Sequence, residues 1–350
     1  MIRKVGLVLN SLNGAGAQKT LLTLASQLVS FDVRVDCFVV NRNSNDYNVR
    51  GGVGLVYLEG DTEQDKKNYL LNHSKSSSYD LFITSQPDFY DYFEAKKKYC
   101  SVHHTPTSWN DRKTWRFWQK YHWKKRDEKY YRSKNLIALS EGIKNDLVCN
   151  LGCDADRVKV INNPFDIDGI RNKSLSKENV PEYSYMVYVA SLSERKRHAD
   201  LFYAFSRIKD KSIKLVLVGK GSNERRLKNL AEKLKITDRV VFWGWDANPY
   251  RLVRRAKLAV LASRAEGLPR VVVESLAIGT PVVSTDCRSG PKEVLTGEFS
   301  NFLVPVGGVK EMIVAIDLAL VSYPAIPSSF VDHFDSKYIA QQYLSLMESD

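Results

Sequence analysis

The chain has 350 residues, 43% of them hydrophobic and 26% charged. These fractions are close to those of soluble globular proteins, which excludes a largely disordered chain and leaves enough apolar surface for two cores. Lys and Arg number 52 against 40 Asp and Glu, a net charge of +12, so an anionic partner is expected: nucleic acid, a membrane surface or a phosphorylated small molecule.

The apolar run at residues 5–9 is too short for a secretory signal core. No stretch reaches the roughly 18 apolar residues of a membrane span. Cys37, Cys100, Cys149, Cys153 and Cys287 are odd in number and form no CxxC, so neither a disulfide framework nor a zinc site is indicated. The sequence reads as a soluble, cytoplasmic protein.

In chain order, β-branched runs at 4–10, 33–40 and 81–84, a strand ending near Val102, and runs at 136–139 and 158–161 read as strands. After a polar stretch at 168–182 the pattern restarts at 185–190, 214–218, 240–243, 258–261 and 281–284. Amphipathic patterns such as 222–234 and 249–256 fall between the strands. Residues 335–347 read as a last helix, which either belongs to the second domain or crosses back over the first. Strands alternating with helices imply parallel sheets of βαβ units. The expected fold class is α/β, with two doubly wound, Rossmann-like domains facing a central cleft. Residues 1–165 form the first domain, 166–183 a linker, 184–330 the second domain and 331–350 the C-terminal helix. Ligands in such folds bind beyond the carboxyl ends of the strands, which places the expected site in the cleft.

Three loops carry chemistry. The first is Asn13-Gly14-Ala15-Gly16-Ala17-Gln18-Lys19-Thr20, between the first strand and the first helix. Glycines let a backbone approach a ligand, and N–H groups at a helix start attract phosphate. Lys19 stands where GxGxxG needs its third glycine, and the GxxxxGK spacing is absent, so neither nucleotide fingerprint is met. The loop is either a phosphate or sugar contact or a plain turn. The second is Leu192-Ser193-Glu194-Arg195-Lys196-Arg197-His198, with three consecutive cations after a strand. Cations at a helix start oppose the helix dipole, and a facing diphosphate removes that penalty. The third is Glu266-Gly267-Leu268-Pro269-Arg270-Val271-Val272-Val273-Glu274. Its two carboxylates suit the hydroxyls of a polyol.

These runs carry a resemblance. The stretches LVLVGKGSNERRL, ITDRVVFWGW, NPYRLVRRAKLAVLASRAEGLPRVVVESLAIGTPVVSTDCRSGPKEVL and FLVPVGG resemble the donor-binding domain of glycosyltransferase family 4, the retaining enzymes with the GT-B fold. LNSLNGAGAQKTLLTLASQL, LIALSEGIKNDLV and VINNPFDID resemble its first domain more loosely, and residues 41–100 are the least family-like. The resemblance implies that Glu266 contacts the transferred sugar and Glu274 the nucleotide ribose. It implies that Lys196 binds the donor diphosphate, with His104 beside the sugar and His103 as the competing assignment. Ser191 stands where the family usually has an arginine, a loss for which Arg195 or Arg197 compensates. Gly16 matches a glycine near the donor phosphate or the acceptor. Gly244 matches the loop of the nucleobase site, and Gly267, Leu268 and Arg270 match the loop around sugar and phosphate.

The implied reaction moves a sugar, with retention and without a metal, from a nucleotide sugar to a hydroxyl of a glycan or lipid-linked glycan. The motifs resemble enzymes of bacterial lipopolysaccharide, capsule and O-antigen assembly, in which UDP-hexose or UDP-HexNAc donors are commonest. Asp154-Ala-Asp156 and Asp166-Ile-Asp168 read DxD, a metal–nucleotide signature of another fold, but fall in a loop and the linker. They are taken as surface carboxylates, and no metal or other cofactor is expected. The competing readings are a nucleotide-sugar epimerase on a similar fold and a nucleic-acid-binding protein, although no nucleic-acid motif is present.

The first half of the chain carries a net +7, and residues 109–134 alone carry the same +7 together with Trp109, Trp115, Trp118 and Trp123. Aromatic and basic side chains mixed in one helical stretch suit the headgroup level of an anionic bilayer. Trp115, Trp118, Trp123, Lys124, Lys125 and Arg126 are the expected contacts, on the inner face of a bacterial cytoplasmic membrane. The alternative is an ordinary helix with Trp115, Trp118 and His122 packed inward.

Overall fold

The computed structural model describes residues 3–12, 16–42, 49, 51–111 and 117–348. It divides into two compact units, Met1–Phe165 with Phe334–Asp350 and Asp166–His333.

Unit 1 runs β1 (Lys4–Leu9), α1 (Gly16–Val29), β2 (Arg34–Val39), β3 (Val53–Tyr57), α2 (Glu63–Lys75), β4 (Leu81–Thr84), β5 (Lys97–Val102), α3 (Phe117–Tyr131), β6 (Leu136–Ala138), α4 (Glu141–Asn145) and β7 (Val158–Val160). The seven strands are all parallel, in the order β3-β2-β1-β4-β5-β6-β7. Val5, Leu7, Val8 and Leu9 are all fully buried, so β1 is covered on both faces, as a central strand of a parallel sheet must be. Phe38, Tyr79, Phe82 and Phe93 fill one side, with the Phe82 and Phe93 rings stacked at 4.0 Å.

Unit 2 begins with α5 (Ile167–Ser174) and continues β8 (Tyr185–Val189), α6 (His198–Phe205), β9 (Lys214–Val218), α7 (Glu224–Lys233), β10 (Val240–Gly244), α8 (Tyr250–Arg255), β11 (Leu258–Leu261), α9 (Arg270–Ile278), β12 (Val282–Thr285), α10 (Pro291–Val294), β13 (Leu303–Val304) and α11 (Val309–Val321). Its six parallel strands are ordered β10-β9-β8-β11-β12-β13.

The stretch 166–183 is only partly a connection. Asp166 caps α5 by accepting from the Gly169 N–H at 2.9 Å, and Ile167 and Ile170 bury its apolar side.

The chain then returns to unit 1. Phe165 N donates to Phe334 O at 3.0 Å, and Ser336 N donates to Phe165 O at 2.7 Å. The last helix, α12 (Ser336–Glu348), lies against α1, where Ser336 Oγ donates to Gln27 Oε1 at 3.0 Å. In each sheet the strand order reverses beside the first strand, between β1 and β4 and between β8 and β11. Loops at such a switch point diverge to opposite faces and leave a crevice for a ligand.

Candidate functional site

At the switch point of unit 2, β8 and β11 are hydrogen-bonded neighbours. After β8 the chain makes a 3₁₀ turn at Glu194–Lys196, passes through Arg197 in the left-handed conformation (φ 47°) and enters α6. After β11, residues 262–269 lead into α9. One ion pair joins the two loops: Lys196 Nζ lies 2.6 Å from Glu266 Oε1, with both side chains largely buried. Tyr188 Oη donates to Lys196 O at 2.8 Å, and Arg264 N donates to Arg195 O at 2.9 Å. Ser289 Oγ donates to Glu266 O at 2.9 Å. Gly290 has φ +93°, and a Cβ there would fall 2.3 Å from Gly267 O, so only glycine allows this backbone to lie on the Glu266 loop.

Burial raises the Glu266 pKa, but the Lys196 charge, hydrogen bonds from Lys196 and Ser263, and the Arg195 charge outweigh it and hold the carboxyl below its ordinary value. An ionised carboxylate and an ammonium thus share the mouth of the switch point. Neither α6 nor α9 has a side-chain cap at its start. Uncapped first-turn N–H groups beside Lys196 suit an anion.

The other residues singled out from the sequence are distributed around this pair. Glu274 Oε1 accepts from Tyr250 Oη at 3.1 Å and lies 3.4 Å from Arg270 Nη2. The two carboxylates therefore have different partners. Leu268 is buried. Ser191 Oγ lies 3.3 Å from Ser193 Oγ, where the family usually has a cation. Of the flanking arginines, Arg197 Nε pairs with Asp200 Oδ2 at 2.5 Å, while Arg195 acts on Glu266 through its charge. Gly244, at the end of β10, has φ +86°, accepts from Gly219 N at 2.7 Å, and has open space where a Cβ would stand.

In unit 1, Gly16 opens α1, and its carbonyl accepts from Thr20 Oγ1 at 3.0 Å. Asn13, Gly14 and Ala15 lie outside the described residues. His103 Nε2 is 3.0 Å from Ser101 Oγ, whereas His104 is exposed beyond the end of β5. The buried Asp146 fixes the loop that follows by accepting from Thr107 N at 2.8 Å and from the Thr107 hydroxyl. The DxD pairs serve local caps: Asp154 accepts from Asp156 N at 3.1 Å, and Asp166 caps α5.

On α3, Trp118 is 62% exposed and Tyr121 56%. His122, Lys124 and Lys125 are also exposed, so the reading of Trp118 and His122 as inward-packed is corrected. The helix reaches the interior instead through Asp127 and Tyr131. Trp123 is half-buried under the Arg126 guanidinium, 3.6 Å from the ring centroid. Trp115 lies outside the described residues.

Sequence reasoning missed Tyr188, Tyr250, Ser289 and Gly290, which hold the site without touching its mouth. Only Gly290 left a signal, the Gly-Pro turn pair with Pro291.

Two family models cover nearly all of this architecture: Glycosyltransferase Family 4 over residues 14–168, and Glycosyl transferases group 1 over residues 170–325. The chain belongs to the group 1 and family 4 glycosyltransferases. One relative is the N-acetylgalactosamine-N,N'-diacetylbacillosaminyl-diphospho-undecaprenol 4-alpha-N-acetylgalactosaminyltransferase of Campylobacter jejuni, 30% identical over 52% of this chain and 50% of its own. Another is the lipopolysaccharide 1,6-galactosyltransferase of Escherichia coli, 27% identical over 58% of each chain. Relatives of this kind are matched over 38% to 58% of their own length. Among solved structures, Anabaena HepE in complex with UDP and glucose superposes with a TM-score of 0.79 at 18% identity, covering 99% of this chain and 100% of that one. WaaG, a glycosyltransferase involved in lipopolysaccharide biosynthesis, gives 0.74 at 14%, with 99% and 100% covered. The fold is GT-B, two parallel sheets with their helices, as in these glycosyltransferases.

Proposed function

We propose that this glycosyltransferase moves a hexose or N-acetylhexosamine from a UDP-sugar to a hydroxyl of a lipid-linked or surface-glycan acceptor, with retention, giving an α-linkage, and without a metal ion. The observation that carries the reading is the Lys196–Glu266 pair across the switch point of unit 2. An ammonium suits a diphosphate and an ionised carboxylate suits sugar hydroxyls, so one contact serves both ends of a nucleotide sugar. The names of the relatives support a glycan acceptor, and the HepE complex supports a UDP donor.

In the proposed reaction the acceptor oxygen bonds to the anomeric carbon as the bond from that carbon to the diphosphate oxygen breaks. The electron pair leaves with the diphosphate, and the acceptor proton passes to a phosphate oxygen on the same face. Lys196 and the first-turn N–H groups of α6 and α9 stabilise the charge that develops there, the role a metal fills elsewhere. Glu266 orients the sugar by accepting from its hydroxyls, and Glu274 accepts from the ribose. By resemblance, His104 is assigned to the sugar and Gly16 to the donor phosphate or the acceptor.

A panel of UDP-, GDP- and ADP-sugars with a lipid-linked glycan acceptor tests the reading. Transfer from a UDP-sugar is expected, with an α-configured product by NMR and a rate unchanged by EDTA. Lys196→Ala and Glu266→Ala should each reduce kcat by about a hundredfold or more, the scale of losing a group that acts on transition-state charge. Full activity in either folded variant overturns the assignment.

The exposed Trp118, Tyr121, Lys124 and Lys125 of α3 support a peripheral contact with an anionic membrane on its cytoplasmic side. Among the described residues no helix is long and apolar enough to cross a membrane.

A further inference from the structure

The turn after Gly244 is organised by one carboxylate. Asp246 accepts four hydrogen bonds: from Trp243 Nε1 at 2.9 Å, Asn248 N at 2.8 Å, Arg251 Nη1 at 2.7 Å and Arg251 Nη2 at 2.8 Å. The two arginine bonds form a fork, the most directional pairing available to a carboxylate. The same guanidinium reaches further. Arg251 Nε donates to Glu178 O at 2.6 Å, and Nη1 also donates to Asn248 O. Asn248 Nδ2 donates to Lys173 O at 2.9 Å. The turn at 244–248, the start of α8 and the segment following α5 are thereby tied together through two side chains that are themselves almost wholly covered.

A cavity of about 470 Å³ adjoins the pair, lined by Asn179, Val180, Pro181 and Tyr183 with Trp243, Asp246 and Arg251. Both oxygens of Asp246 and all three guanidinium nitrogens of Arg251 are already engaged within the protein. The pair therefore holds the chain. It does not offer the cavity a charge.

The backbone held in this way ends at Gly244, with open space at the position of a Cβ and a carbonyl bonded to Gly219 N. A planar base recognised by backbone groups needs those groups fixed to within about half an ångström. A turn ordered before the ligand arrives spares binding the cost of ordering it.

We infer that Asp246 and Arg251 are positioning residues that preset the Gly244 turn for the base of a nucleoside diphosphate, and so set nucleotide affinity and discrimination. This rests on the proposed reading of unit 2 as the nucleotide-sugar domain. The diphosphate end, at Lys196, does not depend on the clamp.

The test is calorimetric titration of the full chain with UDP, GDP, ADP and inorganic pyrophosphate, comparing wild type with Asp246→Asn and Arg251→Lys. The first variant removes the charge and the second the fork. Each should bind the preferred nucleoside diphosphate about tenfold more weakly, the scale of a broken charged hydrogen-bond pair. Each should discriminate less among bases and bind pyrophosphate within about twofold of wild type. In turnover, donor KM should rise while kcat at saturating donor changes little. Trp243→Phe deletes one donor and leaves the ion pair, so it supplies a milder member if either variant fails to fold; a loss of about threefold is expected from it. Unchanged nucleotide affinity, or equal weakening toward nucleotide and pyrophosphate, overturns the inference while wild-type nucleotide binding keeps the donor reading. A wild type that binds none of the three nucleotides overturns both.

Discussion

At position 198 an imidazole is 2% exposed, tilted over the Tyr188 ring at 4.6 Å, and neither ring nitrogen has a hydrogen-bond partner among the described residues. Burial, with a smaller contribution from the Lys196 charge, lowers its pKa from 6.5 to about 4. Between those values the unfolded chain binds the proton and the folded one does not. Stability contributed by the neutral ring is therefore complete above pH 6.5 and is lost as pH falls toward 4. The shift corresponds to roughly 3 kcal/mol at full protonation. His333 is also lowered by burial and acts in the same direction. Glu266, held below its ordinary value, adds its loss at lower pH. Urea unfolding at pH 7, 5.5 and 4.5 should show stability falling with acid, and a shallower fall in His198→Phe. An unchanged slope in the variant would remove His198 from the account. The sequence placed this histidine at the end of a cationic run but carried no sign of its burial. That follows from Tyr188, ten positions earlier, lying in the adjoining strand. In the same way Lys196 and Glu266 are 70 positions apart, and local patterns showed only that each follows a strand.

Among the elements, central strands were the most legible, because burial on both faces requires unbroken apolar runs such as those of β1, β9 and β11. Two of the edges were not: β3 is only half-buried and contains Gly54, and β13 has two residues. Helix α5 was hidden by a polar exterior around Ile167 and Ile170. The loops that shape the site were legible by their charged residues, the cations at 195–197 and the carboxylates at 266 and 274, though not by what each glycine touches. Gly290 and Gly297 both have positive φ, yet a Cβ at 290 meets Gly267 O, Pro269 Cδ and Leu268 Cα, and one at 297 meets nothing. Gly297→Ala should therefore cost about 1 kcal/mol, the backbone penalty alone. Gly290→Ala should cost on the order of 3 kcal/mol and loosen the Glu266 loop. Chemical denaturation measures both, and equal losses would show that the packing on Gly267 contributes nothing.

At the scale of the whole molecule, residues 109–134 carry the whole net positive charge of the first half of the chain, and α3 forms most of that stretch. The exposed aromatic and basic side chains of α3 are proposed to meet anionic lipid, an attraction that salt screens. Co-sedimentation with vesicles of phosphatidylcholine and phosphatidylglycerol should rise with the anionic fraction and fall with salt. Replacing Lys124 and Lys125 by Glu and Trp118 by Ala should weaken it by about tenfold or more, at roughly 1 kcal/mol per lysine. Binding indifferent to lipid charge would remove the contact.

The return of α12 to unit 1 has a consequence for biosynthesis. Unit 2 is an insertion in the sequence of unit 1, between Phe165 and Phe334. Ile339, Ala340, Tyr343 and Leu346 complete the first unit's interior, and Glu348 pairs with Arg3 at 2.5 Å. A ribosome delivers all of unit 2 before it delivers these residues. The unit that starts first is therefore completed last, and a nascent chain stopped short of α12 holds a complete second unit beside an unfinished first.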